Sequence, residues 1–226
     1  MDHAQGRRGG AEGQVAVGVL PRFLLVLLAA TTCLAAAAQP DEHRQRLAAE
    51  LTVMAGDVGR IASGTESALH REGLQDRLAG ALSSLPLLLR SAGADAAAVP
   101  PLRGALSRRD WRALHTGLQE LQREHPLDLA TVLPDRPSPQ RLRLGAAIHR
   151  QACAGCHDTP STQTRLPAFN LFDQFRRMPR AEFAARLLLG VRGDSSTAFH
   201  NPFSHLEIGA LMAYYASGGA DKAARK

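Results

Sequence analysis

The stretch RLRLGAAIHRQACAGCH, residues 141–157, ends in Cys153, Cys156 and His157, with two residues between the cysteines. A thioredoxin-like redox pair requires a βαβ pattern around its cysteines, but no stretch of the chain alternates apolar and polar residues as a strand does. A structural zinc site requires four ligands, and this motif supplies three without a second cysteine pair to complete the set. The order C-x-x-C-H is the attachment signature of a c-type haem, in which both thiols bond to the porphyrin and the histidine binds the iron.

The sequence on both sides of this motif resembles the class I cytochrome c family over roughly residues 141–217. Gly145 precedes the first motif cysteine by eight residues, as in the first helix of that family. HLEIGALMAYYASGG, at 205–219, is similar to the family's last helix. The resemblance implies that these two helices cross closely, that Gly145 lets their backbones approach, and that Tyr214 packs at the crossing.

The resemblance also bears on both axial sides of the iron. On the proximal side, the carbonyl of Pro167, in RLPAFNL, would orient the ring of His157. On the other side the family has a methionine shortly before the last helix, whereas this chain has His200 there, followed by Asn-Pro-Phe. We therefore expect His200 as the sixth ligand, with Met178 as its rival and an open or water-ligated position as the third possibility. A methionine ligand raises the reduction potential, whereas two nitrogen ligands usually lower it.

Two further histidines near the motif are expected to have structural roles. The family usually has an aromatic residue at position 149, and His149 is expected to be a flat, partly exposed packing residue. The alternative for His149 is a proton site linked to the oxidation state of the iron. His205, near the start of the last helix, is expected to be exposed.

The first 38 residues have the pattern of a secretory signal peptide. Its basic segment contains Arg7, Arg8 and Arg22. An apolar run follows from Phe23 to Ala38, and its last three alanines fit a cleavage site near Ala38. The run is shorter than the roughly 20 residues that span a bilayer, and a retained membrane anchor is the alternative. Cleavage would remove Cys33 and leave a periplasmic or otherwise exported chain with the two motif cysteines.

Residues 41–133 have helical periodicity. Three apolar stripes recur at steps of three or four residues (Leu47, Leu51, Met54, Val58, Ile61; Leu74, Leu78, Leu82, Leu85; Trp111, Leu114, Leu118, Leu121). Ser107 is the expected N-cap of the third helix, and Pro86 is expected to kink or end the second. Residues 91–104 are expected to form a connection because a glycine and two prolines interrupt the period. Three such helices predict a small bundle, with a coiled-coil contact to a second subunit as the alternative for the first helix.

The expected fold is therefore all-α, with a helical bundle region at 41–133, a proline-rich linker at 134–140 and a small cytochrome c-like haem domain at 141–219. The expected function is one-electron transfer by an exported monohaem cytochrome carrying one covalent haem c. Such a protein is an electron carrier or an electron-transfer subunit rather than an enzyme. The alternative is a haem protein whose open sixth position binds a small ligand, as in a sensor or a peroxidase-like subunit.

The charge of the chain bears on its partners. A formal net charge of +6 favours redox partner proteins with an acidic docking surface. Nucleic acid is not expected, because no arginine cluster is interleaved with aromatic residues, and a membrane is expected only if the N-terminal segment is retained. In a further alternative, the helical bundle region docks the chain onto a larger redox complex. The residues expected to line the haem pocket are Leu166, Phe169, Leu171, Phe172, Phe175, Leu187, Phe199 and Phe203. Five arginines are expected on a solvated helix face, with a position around the haem edge or on a haem propionate as the alternative: Arg176, Arg177, Arg180, Arg186 and Arg192.

Overall fold

The computed structural model describes residues 21–130, 132–133, 136–159, 168–190 and 203–219, with side chains from residue 42 onward. All regular secondary structure within these ranges is helical, which confirms the prediction of an all-α fold.

The chain divides into two compact units, Met1–Gln39 and Pro40–Lys226. Residues 1–20 of the expected signal peptide lie outside the described residues, and cleavage near Ala38 stays a prediction. Across the described part of the chain, no helix combines the length and the apolar character that crossing a bilayer requires.

Four helices make up the first part of the described chain: α1 (Pro21–Ser63), α2 (Ala68–Ser91), α3 (Val99–Ser107) and α4 (Trp111–Glu124). The predicted stripes form their shared core, which confirms the periodicity. Its fully buried members include Leu47, Leu51, Met54, Val58, Leu78, Leu82, Leu85, Leu114 and Leu118. Burial of each such side chain contributes about 1.5–3 kcal/mol, so tertiary packing rather than helix propensity holds these helices.

The prolines of this part do not break helices where the sequence suggested. α2 continues through Pro86 and ends at Ser91, so the prediction that Pro86 could end this helix is wrong. The expected connection at 91–104 contains the start of α3, whose first turn holds both Pro100 and Pro101. The first turn tolerates proline because its N–H groups have no partner within the helix.

The cap of α4 also differs from the prediction. Asp110 is the N-cap, and its carboxylate accepts a hydrogen bond from the N–H of Ala113 at 3.0 Å. Ser107 instead ends α3, and its hydroxyl donates to the carbonyl of Gly104 at 2.9 Å. Both residues are of capping types, and the tight turn between α3 and α4 decides which one is used.

The second part begins with α5 (Pro139–Ile148), which continues through a π-helical turn (His149–Cys153) into α6 (Ala154–His157). The helices α7 (Leu171–Arg177), α8 (Arg180–Leu189) and α9 (His205–Ala216) follow. α5 starts inside the expected linker, where the hydroxyl of Ser138 accepts from the N–H of Arg141 at 3.2 Å. A second core lies among these helices, and its buried members are Val132, Ala146, Ile148, Phe172, Phe175, Phe183, Ala184, Ile208, Leu211, Met212, Tyr214 and Tyr215.

A cluster of charged side chains joins α1 and α2 to α8. It comprises the carboxylates of Glu50, Asp57 and Glu182 and the guanidinium groups of Arg60, Arg77 and Arg186. Asp57 has no exposed surface and accepts hydrogen bonds from Arg77, from Arg186 and, at 3.0 Å, from Arg60. This buried ion cluster bridges 129 residues of sequence between Asp57 and Arg186. Arg186 is therefore neither on a solvated face nor free to ring a haem edge, which corrects both expectations for it.

Candidate haem attachment site

The crossing of α5 and α9 is close enough that only glycine fits at position 145. A Cβ atom added to Gly145 would lie 2.1 Å from the carbonyl oxygen of Ala210 and 2.8 Å from the Cβ of Tyr214. Tyr214 itself is 2% exposed. The close approach at Gly145 and the packing of Tyr214 there, both implied by the resemblance, are present.

The two motif cysteines lie where α5 continues into α6. Cys153 is the last residue of the π-helical turn and is half-buried, whereas Cys156, in α6, is exposed. Both thiols are unpaired, so no disulfide removes them from chemistry. Burial raises the pKa of the Cys153 thiol, and a hydrogen bond with the hydroxyl of Tyr215 acts in the opposite direction. A π-helical turn adds a residue to the helical repeat and is often found at functional sites.

His157 is oriented by a backbone carbonyl. Its Nδ1 lies 2.6 Å from the carbonyl oxygen of Phe169. A carbonyl only accepts, so Nδ1 carries the proton and Nε2 keeps the lone pair that a metal requires. Pro167, whose carbonyl was expected in this role, lies outside the described residues. The acceptor in the described structure is two residues further along the chain.

Asn170 holds the segment that carries this carbonyl. Its side-chain oxygen caps α7 by accepting from the N–H groups of Phe172 at 3.0 Å and Asp173 at 3.2 Å. Its side-chain nitrogen donates to the carbonyl of His157 at 3.4 Å. The loop before α7 is thus bonded to the motif helix in two places, once by the carbonyl of Phe169 and once by the cap residue Asn170.

His149 is buried rather than partly exposed, which corrects its expected exposure. It is 1% exposed, and its ring lies against those of Phe172, Tyr214 and Tyr215 at centroid distances of 5.3, 5.5 and 5.6 Å. Its Nδ1 is 3.1 Å from the hydroxyl of Tyr215, and its Nε2 is 3.1 Å from a carboxylate oxygen of Asp158. The expected packing role against the last helix is present.

Tyr215 and Asp158 are partners of His149 that the sequence did not indicate. Burial raises the pKa of Tyr215, so its hydroxyl stays protonated and acts as a hydrogen-bonding link. The one available signal was the position of Asp158 directly after the motif. Nothing in sequence spacing indicates that α9 brings Tyr215 to the same imidazole.

Of the two residues expected as the sixth ligand, the structure describes only Met178. His200 lies outside the described residues. Met178 follows the last residue of α7, packs at the edge of the second core and lines a surface cavity of about 460 Å³ with Phe175 and Arg180. His205, the first residue of α9, is exposed as expected.

The expected pocket residues are also unequally buried. Phe172 and Phe175 are buried in the second core, whereas Phe169 is 51% exposed. Leu171, Leu187 and Phe203 are partly buried. Leu166 and Phe199, like Arg192, lie outside the described residues.

The donor set fits a covalently held haem. Among the described residues, no group of three or more His, Cys, Asp or Glu side chains is arranged to hold a metal ion alone. A haem iron does not require such a group, because the porphyrin supplies four nitrogens and the protein adds one axial imidazole. The groups that the protein must supply for such a haem are two thiols and an imidazole. Cys153 and Cys156 provide unpaired thiols, and His157 provides an imidazole fixed through Nδ1.

The chain matches no protein-family model, no curated protein and no solved structure.

Proposed function

We propose that this protein is an exported monohaem c-type cytochrome that transfers single electrons. The observation that carries the proposal is the imidazole of His157, which the Phe169 carbonyl fixes at 2.6 Å. Two unpaired thiols, those of Cys153 and Cys156, precede it in the sequence. A hydrogen bond of this kind sets the tautomer and the basicity of an axial histidine. When bound, a haem supplies the ferric and ferrous states between which an electron is exchanged.

Each part of the site has a stated role in this proposal. Cys153 and Cys156 hold the porphyrin covalently, and His157 is the proximal ligand. The Gly145 crossing fixes the helix that leads into the motif, because the two backbones are in direct contact there. The partners proposed are redox proteins with an acidic docking surface, and the haem domain is proposed to be cytochrome c-like.

The test is to produce the chain in a bacterial host with a functioning c-type haem attachment system. The mass of the purified protein should increase by one haem that survives acid and organic extraction. The Cys153→Ala/Cys156→Ala double variant should lose this haem. An exposed serine in the first part of the chain, Ser63→Ala, is the matched control and should retain it. A wild-type chain without covalent haem under these conditions would refute the proposal.

The optical spectrum then decides the sixth ligand. A low-spin spectrum without a methionine-to-iron band, and without a response to carbon monoxide, supports His200. A methionine band that disappears in Met178→Ala would assign that residue instead. A high-spin spectrum that shifts with carbon monoxide would replace electron transfer with the ligand-binding alternative.

A further inference from the structure

The first turn of α2 contacts the segment that orients the proximal histidine. The ring of His70 lies 5.0 Å from the ring of Phe169, centroid to centroid, at an interplanar angle of 38°. Phe169 is the residue whose carbonyl accepts the hydrogen bond of His157. A side chain of the first part of the chain thus rests directly on the residue that fixes the candidate iron ligand.

The helix that carries His70 is anchored by the buried ion cluster. Arg77 follows His70 by seven residues, which is two helical turns, so both side chains lie on the same face of α2. Arg77 bonds Asp57 and, at 3.1 Å, Glu50 on α1, while Arg186 of α8 bonds the same Asp57. α2 is therefore linked to the second part of the chain in two ways: indirectly through Asp57, which Arg77 and Arg186 share, and directly at the ring of Phe169.

The residue that follows Phe169 also holds this segment in place. Asn170 caps α7 and donates to the carbonyl of His157. Phe169 lies between this cap and His70, with half of its surface exposed. Half of the Phe169 surface faces solvent, so the ring of His70 restrains this residue from outside the loop.

We propose that the helical region of α1 to α4 supports the proximal side of the haem site, with His70 and Phe169 as positioning residues. This inference rests on the function proposed above. A firmly held carbonyl keeps its hydrogen bond to Nδ1 of His157, which makes the imidazole a stronger donor to iron and favours the ferric state. The helical region, on this proposal, tunes the haem rather than serving only as a dock for another protein.

The test uses the full-length haem-loaded protein and three variants. His70→Ala removes the ring, His70→Phe restores a ring without the imidazole nitrogens, and His43→Ala removes an exposed histidine of α1 as the matched control. Two quantities are measured. The first is the reduction potential. The second is the rate at which the Nδ1 proton of His157 exchanges with solvent, monitored through the shifted NMR signal of that proton in the ferric protein.

We expect His70→Ala to raise the potential and to speed the proton exchange about two- to tenfold, the range that the loss of one ring contact implies. His70→Phe should return both values toward wild type, and His43→Ala should leave them unchanged. Wild-type values of both quantities in haem-loaded His70→Ala would overturn the inference. A wild-type chain that takes up no covalent haem would instead overturn the proposed function, so the two failures are distinct.

If His70→Ala does not fold, Phe169→Leu provides the second route. It keeps the backbone carbonyl and an apolar side chain but removes the ring that His70 contacts. The same rise in potential and the same faster exchange are expected, and their absence would count equally against the inference.

Discussion

Gly145→Ala is the sharpest test of the helix crossing next to the candidate haem site. The added Cβ would lie 2.1 Å from the carbonyl oxygen of Ala210, a distance that real Cβ atoms do not adopt. The clashing atom belongs to the backbone of α9 and cannot rotate away, so the two helices must separate by about 1 Å to reach the 3.0 Å at which such contacts begin. Overpacking of this kind costs about 1–3 kcal/mol, occasionally more.

The net effect is smaller than the cost of the clash, because alanine is the better helix former by about 1 kcal/mol. The clash with backbone should cost about 3 kcal/mol, the upper end of the overpacking range, so we expect Gly145→Ala to lower the free energy of unfolding by about 2 kcal/mol net. Separation of α5 from α9 should also displace Tyr214 and reduce the yield of covalent haem. The assay is denaturant unfolding followed by far-UV circular dichroism, at equal protein concentrations.

Gly80→Ala is the matched control, since Gly80 lies inside α2 and an added Cβ there would meet nothing within 4 Å. It should stabilise the protein by about 0.5–1 kcal/mol through helix propensity alone. Equal gains in both variants would refute the argument, because Gly145 would then not lie at a crossing that excludes a side chain.

Three other predictions address the ion cluster, the last helix and the second core. Asp57→Ala should destabilise the protein by about 3–5 kcal/mol, because it leaves three partly buried arginines without their shared carboxylate. Glu120→Ala, in an exposed pair, should cost less than about 1 kcal/mol in the same chemical unfolding experiment. Ser204 donates hydrogen bonds that hold the pKa of Glu207 below its ordinary value. The bond from the Ser204 backbone N–H is the larger cause and survives in Ser204→Ala, whereas the bond from the hydroxyl is lost. The stability that the hydroxyl adds through Glu207 is present above the unfolded pKa of Glu207 and is lost as pH falls through the folded pKa, so the thermal stability difference between wild type and Ser204→Ala should shrink on acidification. Leu211→Ala, at a fully buried position of α9, should cost about 2–5 kcal/mol by calorimetry, and a smaller loss would show that the second core can collapse around the cavity.

The helices of the first part were predictable because their apolar stripes repeat with the period of the helix. Their ends were not, because the same residue types break or begin helices according to position. Pro100 and Pro101 interrupt a periodic pattern when read as sequence, yet they are suited to the first turn of α3. Ser107 and Asp110 are both capping residues, and only the geometry of the turn between two helices selects Asp110.

The candidate site was predictable where a side chain carries the signal. Gly145 and Tyr214 have residue types that suit the close helix crossing at which they lie, and the cysteine motif stays a prediction of haem attachment. The acceptor for His157 is a backbone carbonyl, which every residue possesses, so no sequence pattern could distinguish Phe169 from its neighbours. The buried partners of His149 depend on packing between helices that are far apart in sequence.

The buried ion cluster has a consequence for how this sequence can vary. Its three carboxylates and three guanidinium groups balance in charge within the part of the chain that the structure describes. A change at one member leaves an unmatched charge away from water, whereas a simultaneous apolar replacement of both members of a pair leaves none. We therefore expect substitutions at Asp57 and Arg186 to occur together in related sequences. The parts of the chain before and after the proline-rich stretch should then evolve as a unit and not as exchangeable modules.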